Sequence, residues 1–443
     1  MIQATNAFKK LQNIADELID DRVGIIKFLG EFSREAGAPD FYHFYSEACD
    51  TTAFTDQKNF GNAGGASINP EKGMAKAIGE AVERYCSAIF EQEECPMFSA
   101  HSAPCPCVAP EEFALYSSQQ YERTEFPYVP FTPLTPIRWT DTINPRTRET
   151  WYVPASMVFI PYSPQTQQGE QAIVQPISTG LACHGSWEEA ANSAIAEVIE
   201  RDAFTITWQA KLSRPSIRHS TLTARNRDLI SRYELTRYTV TILNITMDHG
   251  IPTILSVLRN TNPEMPAMIF AASANLNPDL AIESSLEELA HTRRMASFLK
   301  SSRAPLIPSP DHENIGDQSS HVHLYCDQKN FSLAQFIFDS VQTIDFSDIP
   351  TLSTGNPKKD FPIYLEKIEA IDHQVLLKDV TTPDVEDLGL KVVRVIIPGF
   401  HPLFMGHALR ALGGTRLWEV PQKMGWGGIT RETGDNPRAH PYP

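Results

Sequence analysis

Apolar residues at helical spacing, Phe8, Leu11, Ile14, Ala15 and Leu18, predict a helix over residues 5 to 35. A second helix opens at Asn69-Pro70 and runs to about Phe90; a third begins near Ser186, where Ser186 and Glu189 form a capping-box pattern; a fourth covers Asp279 to Leu299. The β-rich runs Tyr238 to Met247, Pro252 to Leu258 and Ala267 to Ala272, separated by Asp248-His249-Gly250 and by Asn260 to Pro266, predict a three-stranded meander. Residues 151 to 162 read as a strand, and Lys391 to Ile397 as a buried strand stopped by Pro398-Gly399. Gly61 to Ala66 reads as a glycine-rich loop and 301 to 320 as a polar loop. Pro127, Pro130, Pro133 and Pro136 stand too close together for helix, so 94 to 150 is expected to be irregular with short edge strands. This uneven alternation favours an α+β fold over a doubly wound sheet.

Composition narrows the partners. A chain of 443 residues exceeds what one hydrophobic core usually organises, so one elaborate domain or two closely packed ones is expected. The formal net charge of -16 argues against a nucleic-acid partner, because phosphate backbones are bound by clustered Lys and Arg. Met1 to Asp21 lacks the apolar stretch and cleavage site of a signal peptide, and apolar runs such as Val392 to Ile397 are too short for a bilayer, which predicts a soluble, cytoplasmic protein. Seven cysteines describe no disulfide framework, and Cys105-Pro106-Cys107 lacks the usual zinc spacing; inert thiols in a reducing compartment are expected.

The most informative pattern is a repeat. Ala77 to Arg84 and Ala194 to Arg201 both read A-I-x-E-x-x-E-R, with no short tandem period around them. On a helix Glu80, Glu83 and Arg84 share one face, as do Glu197, Glu200 and Arg201, while Ala77, Ile78, Ala81 and Val82 point the other way. If both apolar faces join one core, the carboxylate pairs converge on a cleft and would repel unless divalent cations lie between them. Hard oxygen ligands suit Mg²⁺, which completes its shell with water and phosphate oxygens, and the arginines would face the same anion. Glycines beside both copies, Gly64-Gly65 and Gly180 to Gly185, offer backbone amides to phosphate. A solvated helix face with local ion pairs stays open as the plain alternative.

Gly64 to Tyr85 and Ser178 to Ala203 resemble the two hallmark helices of the YcaO family, Glu287 to Arg293 a later family helix, and Val393 to Gly399 with Gly413, Arg416 and Leu417 its C-terminal strand and loop. The resemblance implies an α+β, YcaO-type ATP-binding fold with mainly antiparallel sheets, residues 1–55 forming a helical lead-in and 56–443 the YcaO domain with a Pro-rich tail. It implies ATP held through Mg²⁺, with Glu80, Glu83, Glu197 and Glu200 as metal ligands. Lys76, Arg84, Glu189, Ser193, Arg201, Glu288, His291 and Arg293 fall where nucleotide-site contacts are expected. Lys76 replaces a Ser common among relatives, and His291 a Gln. The ending Arg438-Ala439-His440-Pro441-Tyr442-Pro443 resembles the Pro-rich terminus of azoline-forming members, with Ala439 in place of the first proline. His440, Pro441 and Pro443 are accordingly expected to form a catalytic tail that aims the terminal carboxylate into the site.

The implied activity is cyclodehydration of Cys, Ser or Thr of a ribosomal precursor peptide to thiazoline or (methyl)oxazoline, as in bacteriocin biosynthesis. Thioamide or amidine formation by the same amide activation is the alternative within the family, and a nucleotide-binding scaffold without turnover is the alternative of another class. A separate leader-peptide-binding, E1-like partner is expected to deliver the precursor, with a flavin dehydrogenase acting later and a homodimer as the family's assembly.

Overall fold

The computed structural model describes Lys10 and residues 13–443. Along the chain run β1 (Ile26–Glu31), β2 (Tyr42–Ala48) and β3 (Asn62–Ser67), then helix α1 (Pro70–Ala88). Strands β4 (Met97–Phe98), β5 (Ile137–Ile143), β6 (Thr150–Pro154) and β7 (Leu181–His184) lead to α2 (Trp187–Gln209), β8 (Ser216–Ile217) and α3 (Ala224–Glu234). Next come β9 (Thr239–Asn244), β10 (Thr253–Arg259), β11 (Met268–Ala274), α4 (Pro278–Ser302), β12 (Thr343–Ile344), α5 (Pro357–Glu369), β13 (Leu376–Asp379) and β14 (Lys391–Ile396).

Three sheets result, ordered β1-β2-β3, β11-β10-β9-β8-β12 and β4-β5-β13-β14-β7, with β6 also on β5. All pairings are antiparallel except β8 with β12, so the α+β expectation holds. The meander is present: Leu255 of β10 lies opposite Leu243 of β9 and Ala272 of β11.

Two expectations are corrected. The helix over 5 to 35 does not continue: Phe8 and Leu11 lie outside the described residues, a single turn covers Ala15–Leu18, and strand begins at Ile26. Asp20 stops the turn, because its Oδ1 accepts from the amides of Arg22 and Val23 and folds the chain back. The glycine loop over 61 to 66 is instead strand β3, at the edge of the first sheet and paired with β2 from Tyr42 opposite Ser67 to Glu47 opposite Asn62. Its glycines serve close packing: a Cβ at Gly65 would meet the Gly73 carbonyl at 2.4 Å. In the proline-rich stretch, β5 is an interior strand joined to β4, β6 and β13.

The long helices are placed by their small residues. Asn69 caps α1 by accepting from the Glu71 amide at 2.9 Å, and Ala77, Ile78, Ala81 and Val82 are all buried against the sheets. Ser186 caps α2, which is buried over most of its length and packs against β7, β11 and β14. Helix α4 lies across β10, β11 and β3. The ends of β3 and β7 therefore meet the polar faces of α1 and α2. No described helix is long and apolar enough to cross a membrane.

Candidate functional site

Both copies of the repeat build the same unit. In the first, the Gly64 amide donates to Glu80 Oε2 at 2.7 Å while Arg84 Nη2 donates to Oε1 at 2.6 Å. In the second, the Gly180 amide donates to Glu197 Oε2 at 2.9 Å and Arg201 Nη2 to Oε1 at 3.2 Å. Gly180 has φ +86°, and a Cβ there would come within 2.5 Å of the Val395 carbonyl, so only glycine brings this amide so close. A Cβ at Gly64 would meet His291 Nε2 at 2.8 Å. These two glycine amides thus hold the first glutamates directly, where the sequence suggested phosphate contacts.

The second glutamates are treated differently. Glu83 accepts from the Cys183 amide of β7 at 2.7 Å, which ties the first copy to the strand preceding the second. Burial pushes its carboxyl well above the usual range, and Glu80 and Glu197 push it further, so the two copies face a common space. Glu200 accepts from the Tyr442 hydroxyl at 2.6 Å; burial raises it to about 7 against the opposing pull of Arg201 and that hydrogen bond. The repulsion inferred from the sequence is thus relieved by arginines, Arg84 on Glu80 and Arg201 on both Glu197 and Glu200, and by burial that makes Glu83 and Glu200 reluctant to ionise. Among the described residues, no three His, Cys, Asp or Glu side chains converge closely enough to hold an ion alone. Magnesium sites are commonly completed by water and phosphate oxygens, and paired carboxylates across a cleft fit that demand.

Arg201 supplies the complementary test. Its Nη1 is buried with no hydrogen-bond partner, its Nε lies 3.5 Å from Glu200 Oε1, and its guanidinium lies 4.5 Å over the Tyr442 ring. Unused buried N–H donors are costly, and an anion beside the glutamates would satisfy them. The donor set therefore fits a nucleotide phosphate with its Mg²⁺.

The remaining candidates divide. His291 Nδ1 stands 3.6 Å from Glu288 Oε1; the imidazole holds Glu288 down at about 2, and Glu288 in turn raises His291. Lys76 is already engaged, with Nζ 2.8 Å from Glu287 Oε2 and 3.2 Å from the Ala66 carbonyl. Glu189 accepts from the Ser186 hydroxyl at 2.6 Å, and Ser193 is exposed on α2. Arg293 is not brought to the four glutamates: its guanidinium pairs with Glu35 at 2.8 Å and reaches Ser297.

The tail is ordered into the interior. Trp208 Nε1 donates to the Arg438 carbonyl at 2.9 Å, His440 stacks on His321 with centroids 3.8 Å apart, and His440, Pro441 and Tyr442 are buried, with Pro443 half-buried. Sequence reasoning missed Tyr442 as the partner of Glu200 and Glu287 as the partner of Lys76. Tyr442 was the one hydroxyl-bearing aromatic in the tail, and Lys72 and Lys76, one turn apart, signalled an acidic partner.

Burial also lowers His249, His321 and His401 to about 4. The unfolded chain takes up these protons near pH 6.5 and the folded one does not, so stability present above pH 6.5 is lost as pH falls toward 4, by about 2 kcal/mol per histidine between pH 7 and 5. Glu83 and Glu200, both raised by burial, oppose this but are fewer. Urea unfolding at pH 5 should give a lower midpoint than at pH 7; an equal or higher midpoint would contradict the burial of neutral imidazoles.

Comparison with known proteins agrees with this geometry. The family model described as YcaO cyclodehydratase, ATP- and Mg²⁺-binding, matches residues 64–401. An uncharacterised protein of Methanothermobacter thermautotrophicus is 27% identical over 348 residues, covering 76% of this chain and 82% of that protein. A heterocyclase solved in complex with substrate and cofactor superposes with TM-score 0.80 at 20% identity, over 98% of this chain and 57% of the heterocyclase. This chain thus spans less than two thirds of that protein. YcaO from Methanopyrus kandleri bound with AMPPCP and Mg²⁺ gives TM-score 0.63 at 20% identity, over 89% and 90% of the two chains. The E. coli microcin synthetase McbBCD complex with pro-MccB17 bound gives 0.60 at 14%, over 94% and 96%. With two glutamate-bearing helices facing one cleft and a matching model over most of its length, the chain belongs to the YcaO cyclodehydratase family of ATP- and Mg²⁺-binding enzymes.

Proposed function

We propose that this protein is a peptide cyclodehydratase, converting Cys, Ser or Thr of a ribosomal precursor peptide to thiazoline or (methyl)oxazoline. The observation that carries the choice is the tail: a Pro-containing terminus that resembles azoline-forming relatives is packed into the interior, with Tyr442 on Glu200. ATP with Mg²⁺, when bound, supplies the phosphoryl group that turns an amide oxygen into a leaving group.

The chain's own residues do the rest. Glu80, Glu83, Glu197 and Glu200 are proposed as the residues that would hold Mg²⁺, whose charge would favour the ionised form of the two that burial raises, Glu83 and Glu200. Arg201 and Arg84 hold phosphate oxygens and the glutamates in register, and Glu288 with His291, Glu189 and Ser193 complete the nucleotide's surroundings. The contacts support Arg293 and Lys76 less, because Glu35 and Glu287 already engage them. His440 and Pro441 set the path of the tail, and Pro443 leads from Tyr442 toward the substrate, where a carboxylate would receive the proton of the attacking side chain. Residues 56–443 form the catalytic region in this reading, with β1 and β2 completing its first sheet.

The bound precursor in the microcin synthetase complex supports a precursor peptide as substrate and partner proteins for delivery. The proposed partner is a separate leader-binding, E1-like protein, followed by a flavin dehydrogenase, with the enzyme itself a cytoplasmic homodimer. With precursor and partner present, phosphate release should depend on peptide, and each modified residue should lose one water. Sulfur-for-oxygen exchange would instead indicate thioamide formation, and nucleotide binding without turnover a scaffold.

A further inference from the structure

A half-open cavity of about 130 Å³ borders Arg201. Its wall is mostly apolar, with Tyr116, Val198, Ile397, Phe400 and Leu409 among the lining residues. The size is telling: an apolar cavity of about 150 Å³ accepts a benzene ring, so this one takes a single aliphatic or aromatic side chain.

Two arginines interrupt the apolar wall. Arg394 on β14 is only 3% exposed, donates from Nε and Nη2 to the Met157 carbonyl at 3.0 and 2.7 Å and from Nη2 to the Ile177 carbonyl at 2.8 Å, and leaves Nη1 buried without a partner. Among the described residues no carboxylate is bonded to Arg394. A carbonyl oxygen entering the cavity would satisfy Nη1 without the desolvation cost of a second full charge. Arg201, with its own unused donors, forms the wall shared with the candidate nucleotide site.

The cavity is also preformed. Asp202, beside Arg201 on α2, accepts from the His401 amide at 2.8 Å and from Arg416 Nη2 at 2.7 Å, and Arg416 Nη2 reaches Asp248 at 2.8 Å. This buried clamp fixes the chain after Pro398, which supplies Phe400 and His401 to the lining. A pocket held open this way costs its occupant little ordering of the protein.

We propose that this cavity is the substrate's specificity pocket: it receives an apolar side chain of the peptide residue whose carbonyl is activated, with Arg394 Nη1 donating to a peptide carbonyl. The proposal rests on the peptide-modifying reading above and names the residue type that reading leaves open. Position supports this occupant, since Arg201, which borders the cavity, lies one turn from Glu197 on the same helix face.

The test uses two fluorescein-labelled glycine-rich peptides, one with a single Leu-Cys pair and one with Lys-Cys, and the full chain. Anisotropy should show the Leu peptide binding more tightly by about tenfold or more, since the lysine would bring a second positive charge against Arg201 and Arg394. Leu409→Trp, at a half-buried position that can admit a larger ring, should remove that preference while leaving ATP affinity and thermal midpoint unchanged. Arg394→Met should weaken both peptides alike. Equal binding of the two peptides, absence of binding included, or a preference that survives Leu409→Trp would overturn the pocket. A Leu preference without any cyclisation would leave the pocket standing and sink the azoline reading; cyclisation without the preference would do the reverse.

Discussion

Glu83→Gln and Glu200→Gln should each lower peptide-dependent ATP hydrolysis by about a hundredfold or more, the scale at which a group stabilising transition-state charge is lost. The fold should survive. Glutamine keeps the shape and an acceptor oxygen for the Cys183 amide, and both glutamates already resist ionisation because burial disfavours their charge. A neutral replacement therefore removes a cost the empty protein carries, and the thermal midpoint of either variant should equal or exceed that of the parent. Function lost with stability kept or gained is the signature of a site under electrostatic strain. Turnover at the parent rate in both variants would show these carboxylates to be a solvated helix face.

Removal of His440 through Pro443 should abolish cyclisation. Much of that loss would reflect packing, because Tyr442 and His440 are buried against Phe204 and Phe404 and losing a buried aromatic costs about 3 to 5 kcal/mol. Tyr442→Phe separates the two effects. The ring remains, but Glu200 loses the hydroxyl that favours its charged form, and the Ala272 amide loses a 3.2 Å acceptor. The acidic limb of the pH–rate profile should then move to higher pH by about one unit, with a roughly tenfold fall in rate at neutral pH. An unshifted profile would reduce the tail to packing.

The sequence made the long elements legible because their signals are local. Asn69 before Pro70, Ser186 before Glu189, and the three strands from Tyr238 to Ala272 each appear at the expected place, the first strand ending at Asn244, three residues before the expected Met247. The convergence of the two glutamate pairs was legible from the repeat itself. What failed depended on distant contacts. Gly61 to Ala66 reads as loop by composition, yet becomes strand because α1 and His291 press against Gly65 and Gly64. Arg293 looked like a phosphate ligand by position, but Glu35, 258 residues away, takes its guanidinium. Glu287 and Glu288 are adjacent in sequence and project to different partners, Lys76 and His291, a split no spacing rule displays.

The central claim is that this enzyme activates a peptide amide through its own carbonyl oxygen. A precursor peptide labelled with heavy oxygen at the carbonyl preceding a modifiable Cys tests it most directly, incubated with the protein, its partner, ATP and Mg²⁺. The account predicts that each azoline formed releases one inorganic phosphate carrying the heavy oxygen, in equal amount. Azoline formation accompanied only by phosphate bearing solvent oxygen would contradict it, because ATP would then be hydrolysed without ever touching the amide.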